Sequence, residues 1–192
     1  MKIDCIKEKQ IYVLDDIAPA YVNQKLLDNS MKANYKIHKC SRYLAENDYY
    51  MVCPLSEFDL NSTEIVPHVS NLFKSIEVDQ YFLRSYINMY TQATPTSAHV
   101  DESEIGCYTV LFFFCETWER NWGGEITFYD VDGRNYTVEY QPNRMVIFDG
   151  TILHRVNPVT SFAKGFRFSL AIKCASQKVA EENYKLTNLL KI

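Results

Sequence analysis

A chain of 192 residues with 47% hydrophobic and 23% charged content has the length of one ordinary globular domain and enough apolar material to bury a core. Its net charge of −4 lacks the electrostatic footprint expected of a protein that coats nucleic acid or an anionic membrane. The six cysteines form no Cys-x-x-Cys pair, and no stretch has the length of a membrane span or the apolar core of a signal peptide, so reduced thiols and a cytoplasmic location are expected.

Residues 10–14 predict a short strand. Asp15, Asp16 and Pro19 then open a helix over about 18–29, since acids and an early proline suit a helix start. The segment 31–53 reads as strands separated by a polar loop at 41–48. Asn61-Ser62-Thr63-Glu64 opens a second helix, with Ile65, Val69, Leu72 and Phe73 at helical spacing to about 75. From residue 80 the pattern changes to short strands at 81–90, 107–115, 125–130, 135–140, 144–149, 152–156 and 166–173. Asp132-Gly133 marks a hairpin and Asp149-Gly150 another bend. The stretch 108–115 is apolar on both faces and belongs in the middle of a sheet.

Helices followed by many antiparallel strands predict a mainly β protein with flanking α elements. The fold class is a jelly roll, or double-stranded β-helix, with N-terminal helices packed outside. A single domain is expected over 1–192: helical and strand support at 1–80, jelly-roll core at 81–174, and a covering helix at 176–190.

Within that core, His99-Val100-Asp101 sets an imidazole and a carboxylate two residues apart, on one face of an extended backbone. They are two-thirds of the facial triad that holds non-haem Fe(II) with open positions. Taken alone, the tripeptide also fits a strand-end histidine with an aspartate as turn former. His154, on a strand distant in sequence, supplies the missing imidazole if the jelly roll brings it near; His38 and His68 read as surface or packing residues. Alternation along 165–173 puts Arg167, Ser169 and Ala171 on one face and Phe166, Phe168 and Leu170 on the other. An inward arginine must meet an anion, and a dicarboxylate ligand would supply one through two parallel hydrogen bonds. Lys164 is the competing anchor.

These residues resemble the 2-oxoglutarate and Fe(II)-dependent dioxygenases, specifically the prolyl 4-hydroxylase-like branch. The resemblance runs from about Tyr81 to Lys173. It rests on Tyr90, His99-Val100-Asp101, Tyr108-Thr109-Val110-Leu111, Trp122-Gly123-Gly124-Glu125, Pro142, Val146-Ile147-Phe148, His154-Arg155-Val156-Asn157-Pro158-Val159 and Arg167-Phe168-Ser169. It implies that His99, Asp101 and His154 bind iron, that Arg167 binds the distal carboxylate of 2-oxoglutarate, and that Tyr90 adds a hydroxyl nearby. Thr109 and Leu111 would line the co-substrate pocket, with Ser169 a further candidate. Fe(II), 2-oxoglutarate and oxygen are the implied cofactor and co-substrates, with ascorbate as a candidate reductant. Two positions depart from the family pattern. Arg167 follows His154 by thirteen residues, where many members place the basic residue nine to eleven after it, and Lys164 follows by ten. Phe113 stands where some relatives carry a tyrosine.

The implied reaction is hydroxylation of an unactivated carbon coupled to oxidative decarboxylation, with a prolyl residue of a peptide or protein as the favoured substrate. A free amino acid or small metabolite, and a non-catalytic jelly-roll binding module, are the alternatives; no nucleic-acid or membrane partner is expected. Loops at 41–48, 91–98 and 116–122 would ring the mouth, offering Tyr43, Trp118 and Trp122 to cradle a proline, with Glu102 and Glu104 as an acidic rim.

Overall fold

The computed structural model describes residues 2–6, 9–39, 49–92, 94 and 96–184. The chain opens with two strands, β1 (Lys2–Ile6) and β2 (Lys9–Leu14), followed by helix α1 (Ala20–Met31). Strands β3 (Lys36–Lys39) and β4 (Tyr49–Leu55) precede two helices, α2 (Glu57–Ser62) and α3 (Val66–Ser75). The core strands are β5 (Tyr81–Tyr90), β6 (Cys107–Phe114), β7 (Ile126–Tyr129), β8 (Asn135–Val138), β9 (Arg144–Asp149), β10 (His154–Val156) and β11 (Arg167–Ala175). A short 3-10 turn covers Arg120–Trp122, and α4 (Gln177–Glu182) follows the last strand.

Eight strands form one sheet in the order β1-β2-β9-β6-β11-β5-β4-β3, and a second sheet has the order β10-β7-β8. All the strand pairings are antiparallel. This is the jelly-roll architecture the strand pattern predicts, and β6 lies inside the large sheet between β9 and β11, as its two apolar faces require. Strand alternation divides the core between the sheet's two faces. On the outer face Phe112, Phe114, Phe168, Leu170 and Ile172 pack with Val22 and Leu26 of α1 and Val69 and Phe73 of α3. On the inner face Leu111, Phe113, Val146, Phe148 and Ala171 meet Ile126, Phe128 and Val138 of the small sheet. Between the two sheets, the inner face is where inward polar side chains collect.

Several boundaries differ from the sequence expectation for local reasons. Helix α1 begins at Ala20 rather than 18, because the Asn143 side chain accepts from the Ala18 N–H at 2.9 Å and donates to the Ala18 carbonyl at 2.8 Å, holding that residue outside the helix. The single helix expected from Asn61 to about 75 is two helices. Asn61 and Ser62 end the first, Glu64 takes a left-handed backbone (φ 61°), and Val66-Pro67 starts the second. The tail helix ends at Glu182, with Asn183 and Tyr184 in a turn; residues 185–190 of the expected helix, and the loop expected at 41–48, lie outside the described residues. Among the described residues no helix is long and apolar enough to cross a membrane.

Candidate metal centre and co-substrate pocket

The sheet register sets the site. His99 and His154 form an isolated antiparallel bridge, with His99 N–H to His154 O at 2.8 Å and His154 N–H to His99 O at 2.9 Å. That bridge holds the two imidazoles 4.6 Å apart between ring centroids. Each ring's Nδ1 lies against a backbone carbonyl, Ser97 O at 3.0 Å for His99 and Ile152 O at 2.8 Å for His154. A carbonyl can only accept, so both Nδ1 atoms carry a proton and each Nε2 is the ring nitrogen that faces Asp101. Asp101 is fixed by its own N–H on Gly150 O at 2.9 Å. Its Oδ1 lies 3.7 Å from His99 Nε2 and its Oδ2 3.5 Å from His154 Nε2. The three residues offer ligand atoms that all lie within 4.8 Å of one another.

Behind Asp101 stands a cation. Lys173 Nζ contacts Asp101 Oδ2 and donates to Thr109 Oγ1 at 2.9 Å, while Thr109 donates to the same Oδ2 at 2.7 Å. Burial is the largest influence on Asp101 and pushes its carboxyl up, yet Lys173, His154 and His99 together hold it well below the usual carboxylate range. Burial pushes the His154 imidazole down to about 4, against the pull of Asp101, so it is a neutral donor. Burial likewise lowers the Lys173 ammonium, against the same carboxylate.

At the other end of β11, Arg167 is wholly buried. Its Nε donates to Gly124 O at 2.7 Å and Nη1 to Ser169 Oγ at 3.3 Å; Nη2 is buried with no hydrogen-bond partner. The guanidinium carbon lies 4.7 Å from the Tyr140 ring centroid, 5.0 Å from Phe113 and 5.2 Å from Tyr90. Tyr90 is itself stacked on Tyr50, at 5.7 Å and 9°. Burial lowers the guanidinium's proton affinity. The Gly123-Gly124 pair has a physical reason here. Gly124 has φ +80°, and a Cβ built on it would come within 2.9 Å of Arg167 Cδ.

Residues 85–172 match the family model of the 2OG-Fe(II) oxygenase superfamily. No curated protein sequence matches the chain significantly. Among solved structures, a prolyl-4-hydroxylase from Pseudomonas putida superposes with a TM-score of 0.67 at 13% identity, covering 86% of this chain and 92% of that one. Over residues 85–172 the chain is similar to the 2OG-Fe(II) oxygenase superfamily, and its fold is that of such an oxygenase structure. A prolyl hydroxylase from Trichoplax adhaerens, solved with a hypoxia inducible factor oxygen degradation domain peptide fragment, gives a TM-score of 0.67 at 14% identity over 88% and 84% of the two chains. The non-haem alpha-ketoglutarate-dependent epimerase SnoN from nogalamycin biosynthesis gives 0.68 at 9% over 86% and 78%.

For a superfamily that uses Fe(II) and 2-oxoglutarate, the donor set fits the metal: two imidazole nitrogens and one carboxylate, with no further protein ligand beside them among the described residues. The orphaned Arg167 Nη2 fits a carboxylate. A cavity beside the three ligands is lined among others by Tyr50, Asn88, Tyr90, Leu111, Ser169 and Lys173 as well as His99, Asp101 and His154, and so reaches Tyr90 and Ser169, the neighbours of Arg167.

Of the residues singled out by the sequence, Tyr90, Leu111 and Ser169 face this cavity. Thr109 is spent on Asp101 and Lys173. Lys164 is exposed on a surface loop beside Thr91, Gln92 and Phe166, away from the cavity. Three expectations need correction. Glu102 is not a rim acid: it is 4% exposed, engaged by Arg84 and by Tyr184. Trp122 is buried and Trp118 packs edge-on against it and Tyr140, with its Nε1 on Gly123 O, so both support the Arg167 end and not the mouth. Tyr43 lies outside the described residues. Sequence reasoning missed Lys173, Asn88 and Tyr140. Continuing the β11 alternation by one step past Ala171 reaches Lys173, and the same alternation on β5 reaches Asn88 from Tyr90.

Proposed function

We propose that this chain is an Fe(II)- and 2-oxoglutarate-dependent dioxygenase that hydroxylates an unactivated carbon. His99, Asp101 and His154 hold the metal, and Arg167 anchors the distal carboxylate of 2-oxoglutarate. The observation that carries the reading is the pairing of a three-ligand cluster that opens on a cavity with a buried guanidinium whose Nη2 has no protein partner and whose Nη1 donates to Ser169 in that cavity's wall. When bound, the iron and 2-oxoglutarate supply oxidation coupled to decarboxylation, giving succinate and carbon dioxide. The chain's own part is to keep both Nε2 lone pairs available through the Ser97 and Ile152 carbonyls, and to hold the co-substrate between Arg167 and Ser169 at one end and the ligands at the other. Tyr90 and Leu111 line its path and exclude water.

For the carbon that is oxidised, the proposed substrate is a prolyl residue of a peptide or protein. The stacked Tyr50 and Tyr90 give the cavity an aromatic wall suited to a pyrrolidine ring, and two of the superposed structures are prolyl hydroxylases. A free amino acid or small metabolite is the second reading, favoured by the buried, unpartnered Oδ1 of Asn88 in the cavity wall, which would take a polar hydrogen that a proline ring lacks.

The test is an anaerobic titration of purified protein with Fe(II) and 2-oxoglutarate, watching for the visible charge-transfer absorption of a keto acid chelated to iron. A band that saturates at one equivalent supports the site. Well-folded, metal-loaded protein that shows none overturns the reading in favour of a non-catalytic jelly-roll module. With the band in hand, aerobic incubation with proline-containing peptides and with free amino acids, read by mass for gain of one oxygen, separates the two substrate readings.

A further inference from the structure

Two cations are fully buried among the described residues, Arg167 and Lys173, and the proposed chemistry uses only the first. Lys173 pairs in register with Thr109 on β6 and with Arg84 on β5, so three adjacent strands present polar side chains side by side at this end of the sheet. Arg84 is taken by Glu102. Lys173 and Thr109 instead converge on one oxygen of Asp101, Oδ2, which also lies 3.5 Å from His154 Nε2, while Oδ1 faces His99 Nε2 at 3.7 Å with neither donor on it.

We infer that Lys173 is a positioning residue for the metal centre: with Thr109 it occupies Oδ2 of Asp101 and so presents the carboxylate to the metal through Oδ1 alone. The inference rests on the metal assignment above. A carboxylate free to rotate can bind a cation through both oxygens, and the second oxygen would then fill a position that the keto acid or oxygen needs. An ammonium and a hydroxyl on Oδ2 hold that oxygen back. The same ammonium, a fixed positive charge beside a ligand, also draws charge from the carboxylate and repels the metal. The residue therefore trades metal affinity for an open coordination position.

That trade gives a signature a merely structural role lacks. In Lys173→Met, which keeps the side chain's length without its charge, Oδ2 is released and the local cation is gone. Binding of Co(II), followed by its visible absorption in the absence of oxygen, should tighten about tenfold. The affinity for 2-oxoglutarate in the Fe(II) protein, read from the charge-transfer band, should weaken about tenfold. Lys173→Arg keeps a cation in reach of Oδ2 and should restore both values toward those of the unaltered protein. Thr109→Val removes one of the two donors and should shift both affinities in the same opposed directions, by about threefold. This variant keeps the question open to measurement if Lys173→Met fails to fold. Unchanged affinities in Lys173→Met, or a joint loss of metal and 2-oxoglutarate binding that Lys173→Arg does not relieve, would overturn the inference. If the unaltered protein itself shows no band, it is the site assignment that fails, and the two failures are told apart at that first step.

Discussion

Arg167 and Lys173 share the inner face of β11, six residues apart, and their surroundings differ in what they leave unfinished. Around Lys173 the polar groups close on one another: the ammonium on Asp101 and Thr109, the Thr109 hydroxyl on Asp101, and each imidazole Nδ1 on a backbone carbonyl. Around Arg167 three aromatic rings enclose the guanidinium, and one of its nitrogens has nothing to donate to. A buried, paired charge is tolerated, whereas a buried cation without its anion is strongly unfavourable. The end at Asp101 is therefore closed on itself, while the arginine end keeps a buried nitrogen to which the proposed co-substrate carboxylate would bind. Closure of the first and incompleteness of the second suit a centre that keeps its metal through many turnovers and exchanges its co-substrate in each one.

The largest effect should come from breaking the organised end. Asp101→Ala removes one of three ligands and strands Lys173 without its anion. Turnover of 2-oxoglutarate should fall by at least about a thousandfold, and thermal unfolding should report a loss of about 3–5 kcal/mol. Succinate formation at an undiminished rate would refute the role given to this carboxylate. Next in size is the unfinished end. Arg167→Ala should weaken 2-oxoglutarate binding about a hundredfold, as expected when a buried charged hydrogen-bond partner is removed. Metal affinity should change little, since the guanidinium touches none of the three ligands. Lys164→Ala should leave both affinities within about twofold, an exposed charge outside the cavity being worth little. If calorimetry instead finds the loss in Lys164→Ala, the anchor has been assigned to the wrong residue.

How far these two ends could be read without coordinates follows from the kind of signal each residue leaves. That His99, Asp101 and His154 come together and that Arg167 turns inward was legible because residue type, strand alternation and order along the chain all point the same way. The central position of β6 was legible because a strand apolar on both faces has nowhere else to go. Lys173 obeys the same alternation but reads in sequence as the edge of the strand, where a lysine ordinarily marks the return to water. Tyr140 lies beyond the end of β8, and only the closing of the small sheet over the large one sets its ring against Arg167. Glu102 looked like a rim acid because its partners, Arg84 and Tyr184, lie 18 and 82 residues away. The break between α2 and α3 was hidden in the same way, since Tyr21 donates to Glu64 and Lys25 pairs with it at the turn where the backbone is left-handed.

Gly124 offers a smaller perturbation of the arginine end that leaves every charge in place. With φ +80° and Arg167 Cδ 2.9 Å from where its Cβ would stand, Gly124→Ala must both strain the backbone and push the arginine. The backbone term alone is about 1–2 kcal/mol. A displaced guanidinium should lower 2-oxoglutarate affinity about tenfold while the Co(II) titration stays unchanged. A change in metal affinity instead would mean that the two ends are mechanically coupled.

The smallest effect separates what the aromatic cage does from what its hydroxyl does. Tyr140 donates to the Phe168 carbonyl at 2.7 Å and lies 3.0 Å from that of Phe114, tying β8's exit to β11 and β6, and burial pushes its phenol well above the ordinary range. In Tyr140→Phe the ring remains over Arg167 and the tie is lost, so stability should drop by about 1 kcal/mol with 2-oxoglutarate affinity held within about twofold. Tyr140→Leu removes the ring as well, and affinity should then weaken about threefold as the guanidinium loses one of its three faces of support. Equal affinities in the two variants would show that the rings only fill space around Arg167. A loss confined to Tyr140→Leu would show that the cage helps hold the guanidinium where its unpaired nitrogen meets the incoming carboxylate.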